Sequence, residues 1–489
     1  MSSADGRDRA LPELYESEAR NLRLMLCGDV MLTRRLAVYR EPRYLALRDL
    51  LHAADAVFAN FESSAHDYAG SVPNLTDGTY MTTEPNLLPD LKWLGVTFVS
   101  TANNHAYDYG DAGVLANIQH LAAAGIPQAG SGRHLREARS PGYVDTPGGR
   151  IGLIAATATY RDSNPAMEQR LDALGKPGIS PLGFETTYTV DQASLDALRR
   201  IGEKIGLDAE AARRAGWFFS PREAGVSTAG DGEKAYRFLG KRFVAGDGDD
   251  GGTFGVSTRP RQRDLDALLR QVGEARRQAD WVLVSVHCHE HGGPSVLSAR
   301  SRADLVEPAD FLKEVAHRVI DAGADAFAGH GPHSTLGIEI YKGRPILYSL
   351  GDFIMENETV RFFPAHPYER FDLDPAATPA DFLDARTDHD TKAHPAHAIY
   401  WESIVAECVF EAGQLARLDL HPIDLGWRKP RPQRGRPLLA SGEVADRIVE
   451  RLRELSRPFG THIERRGTGA SVALTSSAST QAPELGRLE

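Results

Sequence analysis

Five clusters of side chains that commonly bind metal ions follow short apolar stretches of the sequence. They combine carboxylates, amide oxygens and imidazoles, which are the ligands that zinc, manganese and iron take in proteins. The clusters are Asp29, Asn60-Phe61-Glu62, Asn103-Asn104-His105, His287-Cys288-His289-Glu290-His291 and His330-Gly331-Pro332-His333. If the fold brings them together, they could hold a divalent metal centre that activates water.

The first three clusters also have structural explanations when each is taken alone. An aspartate after a glycine, as at Asp29, is often a turn or cap residue. Asn60 and Glu62 lie two residues apart, so both could face solvent where a strand ends. Asn104 and His105 could be a turn or cap pair. For the set as a whole, chance placement at five strand ends is a poor explanation.

The longest cluster indicates function more strongly. His287, His289 and His291 alternate after an apolar run, with Glu290 among them, so they are expected to face one way. Cys288 could be a metal ligand or a nucleophile. Alternation along the strand instead directs its thiol away from the neighbouring histidines and into the core.

The last cluster favours metal ligation because of its backbone. His330 and His333 bracket a Gly-Pro turn, which holds two imidazoles rigidly beside a buried strand. The sequence contains no G-x-S-x-G elbow, no P-loop and no dinucleotide-binding glycine motif. These absences leave metal chemistry as the best interpretation of the polar residues.

The apolar runs before these clusters predict an α/β fold. The predicted strands are residues 22–26, 56–60, 96–101, 151–156, 281–286 and 324–329, and the predicted helices are residues 42–54, 113–124, 261–279 and 308–322. Alternating strands and helices are typical of α/β proteins. The carboxyl ends of the strands in such a sheet open into one crevice, so the five clusters are expected at one site.

Later segments predict antiparallel strands, an insertion and two unstructured ends. Two hairpins and an amphipathic helix are predicted over residues 337–341 with 345–350, 403–410 with 415–420, and 441–456. Residues 160–260, with a helix-like stretch at 194–214, are interpreted as an insertion. We expect a mobile segment at residues 1–20, a single domain at 21–465 and a disordered tail at 466–489.

Composition excludes several classes of protein. The 489 residues are 42% hydrophobic and 25% charged, as in a soluble globular protein. Lys and Arg number 56 against 67 Asp and Glu, and the net charge of −11 argues against nucleic-acid binding. Three cysteines, no secretory signal and no bilayer-long apolar stretch predict a cytoplasmic protein without a membrane anchor. The oligomeric state is not predicted.

Taken in order, the clusters resemble the motifs of the CapA family of capsule and poly-γ-glutamate synthesis proteins, a branch of the calcineurin-like metallophosphoesterases. The matching motifs are GDVML at residues 28–32, NFE at 60–62, NNHAYDYG at 103–110, VSVH at 284–287, GHGPH at 329–333 and GIEIYKGRPILYSLGDF at 337–353. The resemblance implies an α/β fold with two facing mixed β-sheets flanked by helices, a four-layer αββα sandwich that holds two metal ions.

The resemblance also implies roles for individual residues. The implied metal ligands are Asp29, Glu62, Asn104, His287, His330 and His333. Glu62 would bridge the ions, and His105, assisted by Asp108, would act on the transition state. Possible additional site residues are Asn60, His289, Glu290 and His291. The chain departs from the family pattern at Met31, where a histidine is usual, and at Asp352, where an asparagine is usual.

Two functions fit these expectations. The first is a hydrolase with two divalent ions of manganese, zinc or iron that cleaves a phosphoester, amide or ester bond in a small-molecule or oligomeric anionic substrate. The second is an accessory protein of poly-γ-glutamate or capsule assembly that binds polymer or ligand without hydrolysis. Met31 keeps open a third alternative, a degenerate site that only binds ligand.

Overall fold

Two large mixed β-sheets carry most strands of the computed structural model, which describes residues 21–68, 73–75, 78–217, 234–246 and 254–474. Within these residues the first sheet has ten strands and combines N-terminal with C-terminal segments. In order of pairing they are Ile463–Arg466, Gly469–Val472, Gln414–Asp424, Glu402–Glu411, Leu22–Met31, Ala56–Asn60, Phe98–Ser100 and Gln128–Ala129, with Asp352–Met355 beside Leu22–Met31 and Leu438–Leu439 beside Gln414–Asp424.

The second sheet comes from the middle of the chain. Its six strands in the described residues are, in order, Ile338–Tyr341, Arg344–Leu347, Ala326–His330, Trp281–His287, Gly149–Thr157 and Gly142–Thr146. A smaller sheet orders Ala235–Phe238, Lys241–Ala245, Phe184–Val190 and Gly255–Pro260. Two short pairs join Gly178–Ile179 to Ser131–Gly132 and Ser64–Ala65 to Thr82–Thr83.

One cluster of buried apolar side chains draws on both large sheets. Leu24 and Phe58 of the first sheet belong to it, as do Leu153 and Leu283 of the second. Successive side chains of a strand point to opposite faces, so alternate residues of these strands fill this shared core. Burial of this apolar surface joins segments that are far apart in the sequence.

Helices pack against both large sheets. The α-helices of the described residues are Pro42–His52, Leu88–Leu94, Gly110–Ala123, Leu135–Arg139, Gln192–Lys204, Leu207–Ala215, Gln262–Arg276, Ser295–Ser298, Asp310–Asp321, Ala365–Arg370, Pro379–Thr387 and Gly442–Ser456. Tyr44 and Leu47 pack with the first sheet, and Phe311 and Val315 pack with the second. Among the helices described, none combines the length and the apolar character that a bilayer crossing requires.

The strand registers place the polar clusters at one end of both sheets. In the first sheet Asp29 pairs with Asn60 on one side and with Asp352 on the other, and both pairings are parallel. In the second sheet His287 pairs with His330, again in parallel. Asn60, His287 and His330 end their strands, whereas Asp352 begins one, and the parallel register brings these side chains to one place.

The predicted strands and helices are present, and most of their bounds differ from the prediction by only a few residues. One strand and one helix differ more. The first strand does not stop at residue 26 but continues to Met31, with a register shift after Asp29. The helix predicted over residues 194–214 is two helices, because Gly206 adopts a left-handed backbone with φ of 75° between them.

The predicted disordered tail also needs correction. From residue 466 the chain was expected to lack structure, yet Gly469–Val472 pairs with Ile463–Arg466 and with the long strand Gln414–Asp424. The side chains of Ala470 and Val472 enter the core between the large sheets, which explains the pairing. Residues 1–20 and 475–489 lie outside the described residues. The small four-stranded sheet lies within residues 160–260, and the division into one domain with an insertion stays a prediction.

Candidate metal centre

Asp29 is fully buried near the end of the first strand, where two groups hold its carboxylate. Asn60 Nδ2 donates a hydrogen bond to Oδ1 at 2.7 Å, and the backbone N–H of Gly331 donates to Oδ2 at 2.9 Å. Gly331 has φ of 114°, and a Cβ there would lie 3.0 Å from the backbone of Cys288, so the approach requires glycine. The amide oxygen of Asn60 accepts from Asn103 at 3.3 Å, so Asn60 orients Asp29.

His287 and His330 lie side by side at the ends of neighbouring strands. Ser285 Oγ is 2.7 Å from His330 Nε2, which directs the other ring nitrogen, Nδ1, towards Asp29 Oδ1 at 3.4 Å. His287 Nδ1 is 3.0 Å from His330 Nδ1. The sequence analysis missed Ser285, although its position two residues before His287 on one strand already indicated a shared face.

The carboxylate of Glu62 lies among three imidazoles. Its Oε1 is 3.7 Å from His287 Nε2, 3.8 Å from His333 Nε2 and 3.9 Å from His105 Nε2, which is too long for hydrogen bonds. Throughout the described part of the chain, neither oxygen of this fully buried group has a hydrogen-bond partner. A buried carboxylate is unfavourable unless a cation or a donor compensates its charge.

The donor atoms of this region suit divalent cations. Ligand atoms lie within 4.8 Å of one another in three overlapping groups: Asp29, His287 and His330; Glu62, His287 and His289; and Asp29, Glu62, His333 and Asp352. Two ligand atoms that each lie about 2.1 Å from one tetrahedral ion are about 3.4 Å apart. The separation between His330 Nδ1 and Asp29 Oδ1 is 3.4 Å, so this spacing fits a shared ion without rearrangement.

Asp352 joins the site, although the sequence analysis did not select it as a ligand. Its Oδ1 is 2.8 Å from His333 Nδ1, and its buried Oδ2 has no hydrogen-bond partner among the described residues. The parallel register places it beside Asp29, and burial raises its pKa to about 6. The available signal was an acidic residue directly after the apolar run at residues 345–350.

Asn104, His105 and Asp108 lie at the edge of the site. His105 Nδ1 is 2.7 Å from Asp108 Oδ2, which also accepts from the backbone N–H of Met81 at 2.9 Å. Since a carboxylate only accepts, His105 Nδ1 donates, and Nε2 is the atom that faces Glu62. The buried side-chain oxygen of Asn104 has no hydrogen-bond partner within the described chain. Their metal-binding and catalytic roles stay predictions.

Two of the residues that follow His287 diverge in direction. His289 turns towards the site, with Nε2 3.0 Å from His287 Nε2. Glu290 turns away, and its Oε2 accepts hydrogen bonds from Thr159 Oγ1 at 3.0 Å and Cys288 Sγ at 3.4 Å. Cys288 is buried with the apolar residues of the core, as alternation predicted.

For His291, the expectation that three alternating histidines face one way stays a prediction. The strand ends at His287, and the regular alternation of side chains ends with it. His291 forms a backbone bridge with Pro308 and belongs to none of the candidate metal groups found in the described residues.

Without a bound metal ion, the buried carboxylates of the site repel one another. Burial raises the pKa of Glu62 well above its ordinary value, and the nearby carboxylates Asp29 and Asp352 raise it further. Burial lowers the pKa of His287 well below its ordinary value, with His330 contributing in the same direction. A neutral imidazole keeps a lone pair for a metal, and a divalent ion would favour the ionised carboxylates.

A cavity of about 350 Å³ lies beside the site and is lined by some of its residues. Its volume is at the lower end of the range for small-molecule sites. Asn104, His105, His289 and His333 form the inner wall, and Met31 lies beside them. His394, which the sequence analysis also missed, stands over His333 with ring centroids 5.0 Å apart.

Comparison with known proteins gives one family. The sequence profile described as "Bacterial capsule synthesis protein PGA_cap" matches residues 23–357, which include all five clusters and Asp352. The chain is 34% identical over 453 residues to the uncharacterized protein y4sH of Sinorhizobium fredii (strain NBRC 101917 / NGR234), which covers 90% of both chains.

Two more distant relatives carry functional names. The probable polyglutamine synthesis accessory protein Rv0574c of Mycobacterium tuberculosis (strain ATCC 25618 / H37Rv) is 25% identical over 277 residues, which cover 56% of this chain and 50% of that protein. The PGA biosynthesis protein CapA of Bacillus subtilis (strain 168) is 22% identical over 339 residues, which cover 68% of this chain and 63% of that protein.

Proposed function

This chain belongs to the bacterial capsule synthesis protein PGA_cap family, and we propose that it is a metal-dependent hydrolase. The observation that carries the proposal is Glu62, a buried carboxylate without hydrogen-bond partners in the described chain and with imidazole nitrogens of three residues within 4 Å. We further propose that the two large sheets and their helices form the four-layer sandwich of the calcineurin-like metallophosphoesterases.

The proposed centre would hold two divalent ions of manganese, zinc or iron, and Glu62 would be a ligand in both groups. Asp29, Glu62, His333 and Asp352 would hold one ion, and Asp352 would replace the histidine that is absent at Met31. Glu62, His287 and His289 would hold the other, together with the oxygen of Asn104. Such ions supply a strong nucleophile from water at neutral pH and stabilise developing negative charge.

His330 is assigned to the same centre through its Nδ1 atom. Ser285 holds the opposite nitrogen, so the ring keeps one orientation, with Nδ1 towards Asp29 Oδ1. A ring that is fixed in this way binds a metal at a smaller entropic cost than a mobile one.

His105 is the proposed proton donor to the leaving group. The hydrogen bond to Asp108 fixes the orientation of the ring. Nε2 faces both Glu62 and the cavity, so a proton on that atom can reach a group bound beside the metal ligands. Asp108 positions the ring without itself contacting the reacting bond.

A binding role in polymer synthesis is the alternative proposal. It rests on relatives whose names describe biosynthesis and accessory proteins and on the unusual Met31. In that role the centre would bind an anionic ligand without cleaving it. The substrate, the bond cleaved and a cytoplasmic location are likewise proposals, and the free, buried cysteines are compatible with a reducing compartment.

Metal analysis of the purified full chain tests both proposals. We expect about two manganese, zinc or iron ions per chain after loading, with turnover of a nitrophenyl phosphodiester or an anilide. A chain that cannot be loaded with any of these metals contradicts both the centre and the hydrolase. Metal that binds stoichiometrically without turnover of either class of substrate favours the binding role.

A further inference from the structure

The charged side chains that line the cavity are mostly positive, opposite to the net charge of the whole chain. Three arginines line the cavity, Arg161, Arg302 and Arg386, while Asp108 is the one acidic residue among the described lining residues. Asp108 is already bound to His105 and Met81. In a protein with a net charge of −11, this arrangement concentrates positive charge at a single opening.

Arg386 lies half-buried in the last turn of helix Pro379–Thr387, where its guanidinium donates to Thr79 Oγ1. Within the described residues it forms no ion pair. Glu358 is the acidic residue with the clearest effect on it, but both oxygens of Glu358 already bind Arg434, at 2.5 and 2.6 Å. Burial lowers the pKa of this guanidinium, and the positive charge of nearby Arg370 lowers it further.

Arg302 reaches the same cavity from a different part of the chain. It begins the short turn Arg302–Asp304, which follows the strand that ends at His287. Its side chain is exposed and has no ion-pair partner among the residues that the structure describes. Since Asp304 accepts hydrogen bonds from the backbone of Arg300 and Ser301, the adjacent acid is engaged elsewhere.

We propose that Arg302 and Arg386 form a binding subsite for an oxyanion, a carboxylate or phosphate group of the substrate that is distinct from the group at the metal centre. Planar guanidinium groups bind such oxyanions with two parallel hydrogen bonds each. This inference rests on the proposed function only because that function places the reacting bond at the metal centre. The subsite itself depends on the two arginines and the cavity that they share.

Binding to the full chain after removal of metal by a chelator isolates this subsite from the metal centre. The probes are inorganic phosphate, glutarate and the neutral diamide glutaramide, measured by titration calorimetry. We expect either anion, but not glutaramide, to bind. Arg302→Gln should weaken binding about tenfold, the loss expected for one charge-assisted contact, and the double variant with Arg386→Gln should abolish it.

Arg270→Gln is the matched control, because Arg270 is exposed on helix Gln262–Arg276, away from the cavity. Arg386→Lys, which keeps the charge, separates loss of the subsite from local misfolding and should retain part of the affinity. Phosphate binding alone assigns a phosphate group to the subsite, and glutarate binding alone assigns a carboxylate.

Three results would overturn the subsite. They are a wild-type chain that binds neither anion, a glutaramide affinity equal to that of glutarate, and an Arg302→Gln variant that binds like Arg270→Gln. Each is independent of whether the loaded protein hydrolyses any substrate, so failure of the subsite is distinguishable from failure of the proposed hydrolase.

Discussion

Buried acids at the two ends of strand Ala326–His330 have different partners. At its amino end, Asp325 is buried and accepts from Arg276 at 2.9 Å and from the backbone N–H of Val282 at 2.8 Å, while Arg344 lies 3.1 Å away. At its carboxyl end the acids face imidazoles, and within the described chain no Arg or Lys forms an ion pair with Asp29, Glu62 or Asp352. The charge of Asp325 is compensated within the chain, whereas the acids at the carboxyl end require a bound cation for compensation.

This difference separates structural from functional burial of charge. Asp325 and the acids at the carboxyl end all lie beside the same strand, and all are shielded from water. Neither residue type nor burial therefore distinguishes the two groups. The partners do, because arginine brings a permanent positive charge and neutral imidazole brings a lone pair. Mutations at the amino end should therefore lower stability without loss of metal. Mutations at the carboxyl end should lower metal binding without loss of stability.

The largest expected effect on folding belongs to Asp325→Asn. Loss of the carboxylate leaves Arg276 and Arg344 without their buried partner, and the free energy of unfolding should fall by about 3 kcal/mol. Denaturant titration measures this change, and metal content should stay at the wild-type value. A stable variant, or one that loses metal, would contradict the structural role given to Asp325.

Glu62→Gln should show the reverse pattern. Turnover and metal affinity should fall at least about 100-fold, because a ligand contributes more than the supporting groups around it. After chelation of the metal, the variant should be at least as stable as the wild type, since the substitution removes an uncompensated buried charge. Metal analysis and thermal unfolding with and without chelator distinguish the two ends of the strand.

A smaller effect is expected at Asp352, where the chain departs from its family. Asp352→Asn should weaken metal binding about tenfold, as loss of one of several ligands does. Met31→His in the same chain should restore part of that affinity, because a new imidazole would approach the same ion. Titration with Mn²⁺ followed by metal analysis tests this, and a wild-type affinity for Asp352→Asn would remove Asp352 from the ligand set.

The smallest effect concerns Glu407, a buried acid that is paired like Asp325. Burial acts to raise its pKa, but hydrogen bonds from His421 and Arg23 outweigh burial and hold the pKa at about 2. This contribution to stability is therefore present above about pH 4.5 and disappears as pH falls towards 2.

Glu407→Gln should accordingly cost about 1 kcal/mol at pH 7, after allowance for solvent at the partly exposed Arg23. The difference in unfolding free energy between wild type and variant should shrink below pH 4.5. A difference that is constant from pH 7 to pH 3 would show that the ion pair contributes nothing.

The sequence by itself determined which strands are buried and which side chains follow them. Apolar runs of five or six residues predicted core strands, and polar residues at their ends indicated one edge of a sheet. The motifs from Asp29 to His333 therefore identified the family and the location of the site without coordinates.

Only the tertiary structure decided how individual side chains point once the strands end. Alternation could not decide the direction of Glu290, because the loop after His287 sets it. Asp352 and Arg386 lie far from the other site residues in sequence, and only strand register and helix packing bring them close. Periodicity is a local property of the backbone, whereas the partner of a buried charge depends on contacts between distant segments.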